Sequence, residues 1–204
     1  MFYSQQRLSY PIGFRNDDAA TLPGMSIACV TGAEFKDNEL ILILAKPSTT
    51  FKNFCAITEP VDCAASGYGR CAIGGIVPVK YDSGTPAFDE GWGYKPSQWT
   101  ISKGFFGCCR IMKLIDSTEK IAAVALTSQL TAFLGKVQAS IASGATTSTT
   151  ASSGYKIFTG TTGSEADAGF TTVPAAYNRG VALVANDYIW GQYVNNAWHI
   201  GKIC

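Results

Sequence analysis

The sequence predicts an all-β protein, and three features of the chain support this fold class. Short runs of apolar and β-branched residues alternate with turn-forming residues along most of its 204 positions. The 21 glycines and 8 prolines supply turns and interrupt helices. Hydrophobic residues make up 47% of the chain, which is too apolar for a disordered protein. A chain of this length forms one domain of ordinary size or two small ones.

The first half of the chain is predicted to form short strands separated by turns. Turn residues at Thr31-Gly32 and Glu59-Pro60 each end one of these strands. The predicted strands cover 26–30, 39–45, 54–58, 70–79, 98–102 and 108–114. Strands at this spacing, with no helical period between them, favour a small antiparallel barrel or sandwich. We therefore expect an N-terminal arm over 1–13 and a first β module over 14–116.

The periodicity of the sequence changes near residue 119. Gly135 interrupts a stripe of apolar residues at helical spacing, which consists of Leu126, Leu130, Phe133, Leu134, Val137 and Ile141. The same stretch also fits an extended segment that enters a new sheet. Helix and strand are equally supported over 126–141, so the expected fold is all-β with at most one short helix. We place a connector over 117–130.

A second β module is expected over 131–204. It includes a low-complexity run over 143–154 that has no large apolar residue. Such a run buries too little surface to offset its ordering entropy, so we expect a flexible loop. Gly191 and Asn195-Asn196 supply later turns, and the predicted strands are 155–158, 171–175, 181–185, 188–190 and 197–203. The predicted architecture is therefore two small antiparallel β-barrel or sandwich modules in tandem.

The charge of the chain limits the classes of partner. Sixteen Lys and Arg residues against fifteen Asp and Glu residues give a net charge of +1, whereas nucleic-acid binders concentrate a basic excess on one face. The longest apolar run, 40–45, is far shorter than the roughly 20 residues of a membrane-spanning helix. The N-terminal residues lack the pattern of a secretory signal. We therefore expect no nucleic acid and no membrane among the partners, and assembly in a cytoplasm.

Seven cysteines, an odd number, predict at least one thiol that is unpaired within the chain. No pair has the C-x-x-C spacing of zinc sites, and the single histidine is His199, so we expect no metal site. In a reducing compartment the cysteines would serve as small buried apolar residues. A late disulfide between Cys63 and Cys71, which flank a turn-prone segment, is an alternative that the sequence leaves open.

The sequence carries none of the common catalytic motifs in a supporting context. Neither Gly135-Lys136 nor Gly201-Lys202 is followed by the Ser or Thr of a phosphate-binding loop. The G-x-G-x-x-A pattern over 67–72 runs into a predicted strand, whereas a dinucleotide site needs it to open a helix. His199 lies beside a tryptophan on another predicted strand, where a structural role is the simpler interpretation. We therefore expect no catalytic residues, no cofactor and no enzymatic activity.

The segment 88–99 is the richest candidate site because it combines aromatic, acidic and amide side chains on a glycine-rich loop. Trp92, Tyr94 and Trp99 are suited to stack on sugar rings while neighbouring polar groups bind the hydroxyls. The interpretation that we favour is that these rings cap a barrel mouth or contact another subunit.

The N-terminal arm is a second candidate contact region. Phe2, Tyr3 and Tyr10 provide aromatic contact surface, although few residues of the arm would anchor it to a core. We expect the arm to become ordered when it docks on an adjacent subunit.

Several stretches of the chain match patterns that occur together in one class of small β proteins. Residues 14–25 begin with an F-x-N motif, and 69–79 end in a G-I-x-P-V strand. A W-G-x-x-P-x-x-W stretch within 91–107 follows, and 159–179 contain G-x-E-x-D-x-G and then A-Y-N. In these patterns, taken in order, the chain resembles small virion proteins of tailed bacteriophages.

The resemblance implies a structural role in a phage virion without catalytic residues. The function expected from it is that of a capsid decoration or cement protein, which bridges capsid subunits. A tail or fibre adaptor, or a carbohydrate-binding module that uses Trp92, Tyr94 and Trp99, is the alternative. The expected partners are the major capsid protein or other virion subunits, and a charge-poor chain with exposed strand edges is expected to form a homo-oligomer, a trimer or a ring.

Overall fold

The computed structural model of the chain describes residues 10–52, 54–103, 108–127, 132–159 and 166–203. These residues form strands and connecting loops and contain no helix, which confirms the all-β prediction. The strands are β1 (Ile12–Asn16), β2 (Ile27–Lys36), β3 (Glu39–Ala45), β4 (Cys55–Thr58), β5 (Tyr68–Ala72), β6 (Gly74–Lys80), β7 (Gly91–Tyr94), β8 (Ile101–Lys103), β9 (Cys109–Asp116), β10 (Ile121–Thr127), β11 (Ala132–Val137), β12 (Tyr155–Thr159), β13 (Ala166–Asp167), β14 (Ala176–Asn178), β15 (Tyr188–Val194) and β16 (Ala197–Lys202).

The first five strands close into a barrel in the order β1-β3-β2-β4-β5. β1 runs parallel to β3 and antiparallel to β5, and this double pairing closes the ring. Closure pairs the strand edges that an open sheet would expose. The barrel has its own apolar cluster, formed by Phe14, Leu22, Ala28, Leu42, Leu44, Ala56, Cys63 and Cys71.

Two further sheets follow the barrel along the chain. The middle sheet has the order β6-β10-β9-β7-β8, and the C-terminal sheet has the order β13-β12-β11-β15-β16-β14. β10 ends at Thr127 and β11 runs from Ala132 to Val137. The ambiguous stretch over 126–141 is therefore strand, not helix, wherever it has regular structure among the described residues. Most of the predicted connector over 117–130 belongs to the β9–β10 hairpin.

All three sheets meet in one large apolar core. This core takes Ile27 and Ile57 from the barrel, Val124 from the middle sheet, and Phe133 and Ile189 from the C-terminal sheet. Burial of each such side chain contributes roughly 1.5–3 kcal/mol to stability. The barrel strands β2 and β4 thus pack on two sides, inward on the barrel core and outward on the shared core.

Asn16 is fully buried at the end of β1 and ties three chain segments together. Its Nδ2 donates to the carbonyl oxygens of Ala20 at 2.9 Å, Cys63 at 3.1 Å and Ala64 at 3.0 Å. Its Oδ1 accepts the backbone N–H of Asp18 at 3.0 Å. We call this arrangement an asparagine node, because one buried amide hydrogen-bonds backbone groups of separate turns.

A second asparagine node lies at the end of β14 in the C-terminal sheet. The Nδ2 of the fully buried Asn178 donates to the carbonyl oxygens of Val181 at 2.8 Å, Ala142 at 3.1 Å and Ile141 at 3.4 Å. Its Oδ1 accepts the N–H of Gly180 at 3.1 Å. Each node strand also pairs in parallel with a hairpin strand, β1 with β3 and β14 with β16.

The backbone around each node follows the same course. An isolated antiparallel bridge joins Leu22 to Cys63 beside the first node and Ile141 to Leu183 beside the second. Three residues after each bridged residue the chain has a positive φ, at Met25 (56°), Ser66 (58°), Gly144 (75°) and Asn186 (76°). One turn motif therefore occurs four times, twice in the barrel and twice in the C-terminal part of the chain.

Several predicted boundaries differ from the structure. β1 begins at Ile12, so the last residues assigned to an N-terminal arm over 1–13 belong to the barrel. The predicted strands 171–175 and 181–185 are irregular apart from isolated bridges at Thr172 and Leu183. Short apolar runs satisfy a strand pattern without lying next to a partner strand, and this explains the difference.

The Thr/Ser-rich segment over 143–154, expected to be a flexible loop, is held by backbone hydrogen bonds. Ala151 donates its N–H to the carbonyl of Thr171 at 2.9 Å, and Thr147 donates to Ala176 at 2.9 Å. Thr147 and Ala151 are also buried. The expectation considered only side-chain burial, whereas the main chain of this segment pairs with a neighbouring segment.

Candidate interaction surfaces

Trp92, which we singled out as a candidate sugar-stacking residue, is fully buried in β7. Its ring meets that of Tyr81 edge to face at 5.9 Å. Its indole Nε1 donates to Glu90 Oε2 at 3.2 Å, and the same carboxylate accepts from the N–H of Ala87 and from Lys103. The hydrogen bond from Lys103, followed by that from Ala87, holds the pKa of Glu90 below its usual range. Trp92 therefore packs the middle sheet and offers no surface to a ligand.

Tyr94 is also fully buried, at the junction of the three sheets. Its hydroxyl donates to the carbonyl of Lys52 and accepts the N–H of the same residue at 2.9 Å. Its ring contacts Phe51 at 6.3 Å and Phe170 at 5.9 Å. Burial raises the pKa of this phenol well above its ordinary value. Both rings are interior packing residues, so a sugar cannot reach either of them, and neither ring is exposed for contact with another subunit.

The remaining candidate contact residues have different surroundings. Trp99 is half-buried against the barrel core, with the Lys46 ammonium 5.8 Å from its ring centre. Tyr10 is half-buried against the shared core, and burial raises its pKa to about 12. Phe2 and Tyr3 lie outside the described residues. Of the six predicted contact residues, only Trp99 and Tyr10 therefore combine a described position with partial exposure.

A cluster of buried thiols lies where the barrel meets the middle sheet. Cys29 and Cys55 are cross-strand partners in β2 and β4, and Cys55 is hydrogen-bonded to Cys108. Cys108 Sγ lies 3.8 Å from Cys109 Sγ. Cys29, Cys108 and Cys109 are free thiols, and burial raises the pKa of Cys29 to about 12. Within the described residues, no group of three or more Cys, His, Asp or Glu side chains is placed to hold a metal ion.

The tip of the β2–β3 hairpin exposes two large apolar side chains. Phe35 and Leu40 are cross-strand partners and are 74% and 57% exposed. Asp37 and Asn38, both with positive φ, form the two-residue turn between the strands. Because cross-strand partners project to the same face, the two side chains form one apolar pair. We call this pair the hairpin tip.

A second exposed surface lies on the C-terminal sheet. Tyr188, Trp190 and Gln192 face outward from β15, while Ile189 and Gly191 face the core. The predicted turn at Gly191 is wrong, because Gly191 lies in the middle of this strand. A Cβ on Gly191 would lie 2.2 Å from the Phe133 ring, so only glycine fits beneath that ring. We call the outward side of β11, β15, β16 and β14 the C-terminal outer face.

Sequence patterns did not identify the C-terminal outer face. The alternation over 188–194 indicates a strand, but both of its faces carry apolar or aromatic residues, so the pattern does not say which face is buried. The usable signal is the pair of glycines Gly191 and Gly201, since a glycine inside a strand often marks the place where an aromatic ring lies against the backbone. Phe133 lies over Gly191, and Trp190 lies over Gly201.

Comparison of the chain with family models, with curated proteins and with solved structures finds no match in any of the three. Among the described residues, none forms a helix that is long and apolar enough to cross a membrane. Any function proposed for the chain therefore depends on its own residues and surfaces.

Proposed function

We propose that the chain is a non-enzymatic structural protein of a tailed-phage virion, and within the virion a capsid decoration protein that bridges capsid subunits. Its partners under this proposal are the major capsid protein and further copies of itself, in a trimer or a ring. The motifs that resemble phage virion proteins include both asparagine nodes, because Asn16 belongs to the F-x-N motif and Asn178 to the A-Y-N motif. The resembling motifs thus coincide with residues that organise the fold.

The hairpin tip is the single observation that carries the bridging role. Phe35 and Leu40 project at the end of a long hairpin and remain largely exposed. Contact with water makes exposed apolar surface unfavourable, and a partner that covers the two side chains would relieve this. Two adjacent apolar side chains on a hairpin form a compact anchor. A few such residues often contribute most of the binding free energy of an interface. The Lys36 ammonium lies 4.1 Å from the Tyr68 ring centre and leaves the apolar pair unobstructed on the opposite face of the hairpin.

We further propose that the chain consists of two related β modules in tandem, joined through the middle sheet. The two asparagine nodes support this arrangement, because one belongs to the barrel and the other to the C-terminal sheet. The strand that carries each node pairs in parallel with the second strand of a hairpin in both cases. Two β modules would give a decoration protein two separate contact surfaces.

The burial of the richest sequence motif supports the absence of enzymatic activity in this proposal. Trp92 and Tyr94 serve in packing, and the carboxylate of Glu90 is already engaged by three donors. The Nδ1 atom of His199 accepts the Arg179 Nε hydrogen at 3.0 Å. These side chains are thus engaged in contacts within the chain.

Quantitative mass spectrometry of purified particles tests the proposal. Peptides of this chain should be present in intact, gradient-purified virions at many copies, in a fixed ratio to the major capsid protein. Absence from purified virions would contradict the structural role, and presence in only a few copies per particle would favour a tail or fibre adaptor.

A variant pair tests the contribution of the hairpin tip. Replacing Phe35 and Leu40 together by Ser should weaken attachment to particles that lack the protein, because the apolar anchor is lost. Val61→Ser is the matched control, since Val61 is 64% exposed and lies beside Gly24, near the opposite end of β2 from the tip. Equal attachment of both variants would exclude the hairpin tip as the bridging contact.

A further inference from the structure

The C-terminal outer face concentrates exposed aromatic side chains. Of the four tryptophans, Trp92 is fully buried, Trp198 is 5% exposed and Trp99 is half-buried, whereas Trp190 is 40% exposed. Tyr177 and Tyr188 on the same sheet are 46% and 39% exposed. The chain thus keeps most of its largest rings inside and places three aromatic rings on this one face.

Trp190 presents a flat ring surface to solvent. Its cross-strand partner is Gly201, and a Cβ there would lie 2.6 Å from Cζ2 of the indole. The indole therefore lies against the backbone of β16, with its remaining surface exposed. A planar ring fixed in this way loses little conformational entropy when a ligand stacks on it.

A pair of stacked rings lies beside Trp190 on the same face, formed by Tyr177 of β14 and His199 of β16. Tyr177 and His199 are cross-strand partners with ring centres 6.0 Å apart and an interplanar angle of 30°. Neighbouring strands are about 4.8 Å apart, so Tyr177 on β14 and Trp190 on β15 are separated laterally by about 10 Å. Two aromatic rings at this separation can stack on two different monomers of one extended polymeric ligand.

The cations of this face are not all neutralised. Lys156, on the adjoining strand β12, pairs with Asp167 at 2.8 Å. Lys136 instead lies 5.4 Å from the Tyr188 ring centre, and Arg179 donates a hydrogen bond to Nδ1 of His199. Within the described residues, neither of these two cations forms an ion pair with a carboxylate. A positive charge thus flanks the rings on both sides.

We propose that the C-terminal outer face binds an acidic polysaccharide, a chain of sugars that carry carboxylates. The C–H faces of the sugars stack on Trp190 and Tyr177, because the negative ring face attracts polarised C–H groups. The sugar carboxylates meet Lys136 and Arg179, which supply charge-assisted hydrogen bonds. This function is additional to the proposed place in a virion and does not depend on it.

A sugar acid fits this face better than the other ligands that contact rings and cations. Single-stranded nucleic acid also stacks on aromatic residues, but its binding depends on a positively charged groove along the backbone, and the chain has a net charge of only +1. Lysine is depleted at the core of protein interfaces, whereas Lys136 lies directly beside the Tyr188 ring. The mixture of flat rings, an amide at Gln192 and two cations matches a polar ligand with apolar faces.

Binding of defined oligosaccharides to the full chain tests the proposal. The acidic probes are hexamers of galacturonate and of sialic acid, and the neutral probes are hexamers of glucose and of N-acetylglucosamine. We expect the acidic hexamers to bind and to quench tryptophan fluorescence, with an affinity that falls as salt rises. Trp190→Ala should weaken binding by about tenfold or more, whereas Phe88→Ala, at an exposed ring outside this sheet, should leave it unchanged.

A second set of variants keeps the test informative if Trp190→Ala disturbs the sheet. Arg179→Gln and Lys136→Gln change exposed or half-buried charges without opening the core, and each should weaken the acidic hexamers while Lys156→Gln has a smaller effect. Binding of neither acidic hexamer, equal binding of neutral and acidic hexamers, or preferential binding of a single-stranded oligonucleotide would each overturn the proposal. So would a change of oligomeric state in Trp190→Ala with sugar affinity unchanged, which would assign the face to a subunit contact.

Discussion

Asn16 and Asn178 hold equivalent positions in two different sheets. Each is completely buried at the end of a strand, donates from Nδ2 to three carbonyl oxygens and accepts from the N–H two residues ahead. A side chain that satisfies four backbone groups fixes the relative position of the segments that carry them. The two amides are therefore the polar centres around which the barrel and the C-terminal sheet are organised.

Replacing either node amide by a carboxylate should strongly destabilise the protein. Asn16→Asp or Asn178→Asp preserves the shape but removes the donor and places a carboxylate against three carbonyl oxygens. We expect a loss of about 3 kcal/mol or more in the free energy of unfolding, since a buried charge that faces acceptors costs more than the about 1–3 kcal/mol of a neutral unsatisfied group. Urea unfolding measures it, with the exposed turn variant Asn195→Asp as the control. A loss below 1 kcal/mol at both nodes, equal to the control, would show that the amides are dispensable.

Removal of two buried tyrosine hydroxyls should have different effects on the free energy of unfolding. The Tyr155 hydroxyl donates to the carbonyl of Pro174 at 2.7 Å, whereas the buried Tyr10 hydroxyl has no hydrogen-bond partner among the described residues. Tyr155→Phe should therefore lower the free energy of unfolding by about 1 kcal/mol, and Tyr10→Phe should leave it unchanged or raise it. Denaturant unfolding of the two variants side by side measures the difference. The reverse order of stabilities would show that the Tyr10 hydroxyl is bonded in solution.

Stability should fall at alkaline pH because of the buried thiols. Burial raises the pKa of Cys29 and of Cys71 to about 12, whereas a thiol in the unfolded chain titrates near about 8.5. Below that pH both states are protonated and the full stability is present. Above it only the unfolded state ionises, so each thiol removes about 1.4 kcal/mol per pH unit until the pH reaches the folded pKa.

Unfolding under reducing conditions from about pH 8 to about pH 10 measures this slope. Cys29→Ala should be less stable overall but should show a shallower decline with pH, because one titrating thiol is gone. A decline that is equally steep in the variant would show that Cys29 ionises as readily in the folded state as in the unfolded one.

Truncations of the N-terminus should separate attachment from folding. Deleting residues 1–9 leaves Tyr10 and the whole of β1 in place, so the free energy of unfolding should not change while attachment to particles weakens. Deleting residues 1–13 also removes Ile12 and Gly13, which pair with β3 and β5, and should cost about 2 kcal/mol or more. Unchanged attachment after the shorter deletion would remove the arm from the bridging contact.

The parts of the fold that sequence predicts best are those whose strands carry long apolar runs. β3 was predicted at its observed bounds, because the run over 40–45 is long and ends at Lys46-Pro47. β1 was missed, since Gly13, Arg15 and Asn16 give it no strand pattern and its partner β3 lies far along the chain. A strand of this kind forms through its partners, and local sequence does not contain them.

The candidate site was predictable only in part. The richness of the 88–99 segment in aromatic residues was visible, but pattern alone does not distinguish a ring that packs a junction of sheets from one that faces solvent. Trp190 is the opposite case: the Phe133 ring lies against the core side of Gly191, and the neighbouring Trp190 faces outward. Both outcomes depend on contacts between residues distant in sequence, which alternation within one strand does not record.

The position of the chain on the particle tests the central claim most directly. A cryo-electron microscopy map of the virion, compared with one of particles that lack this chain, locates the density that the chain contributes. We predict density at the three-fold or quasi-three-fold axes of the head, with the chain in contact with neighbouring capsid subunits. Density confined to the tail or the fibres, or no difference between the two maps, would contradict it.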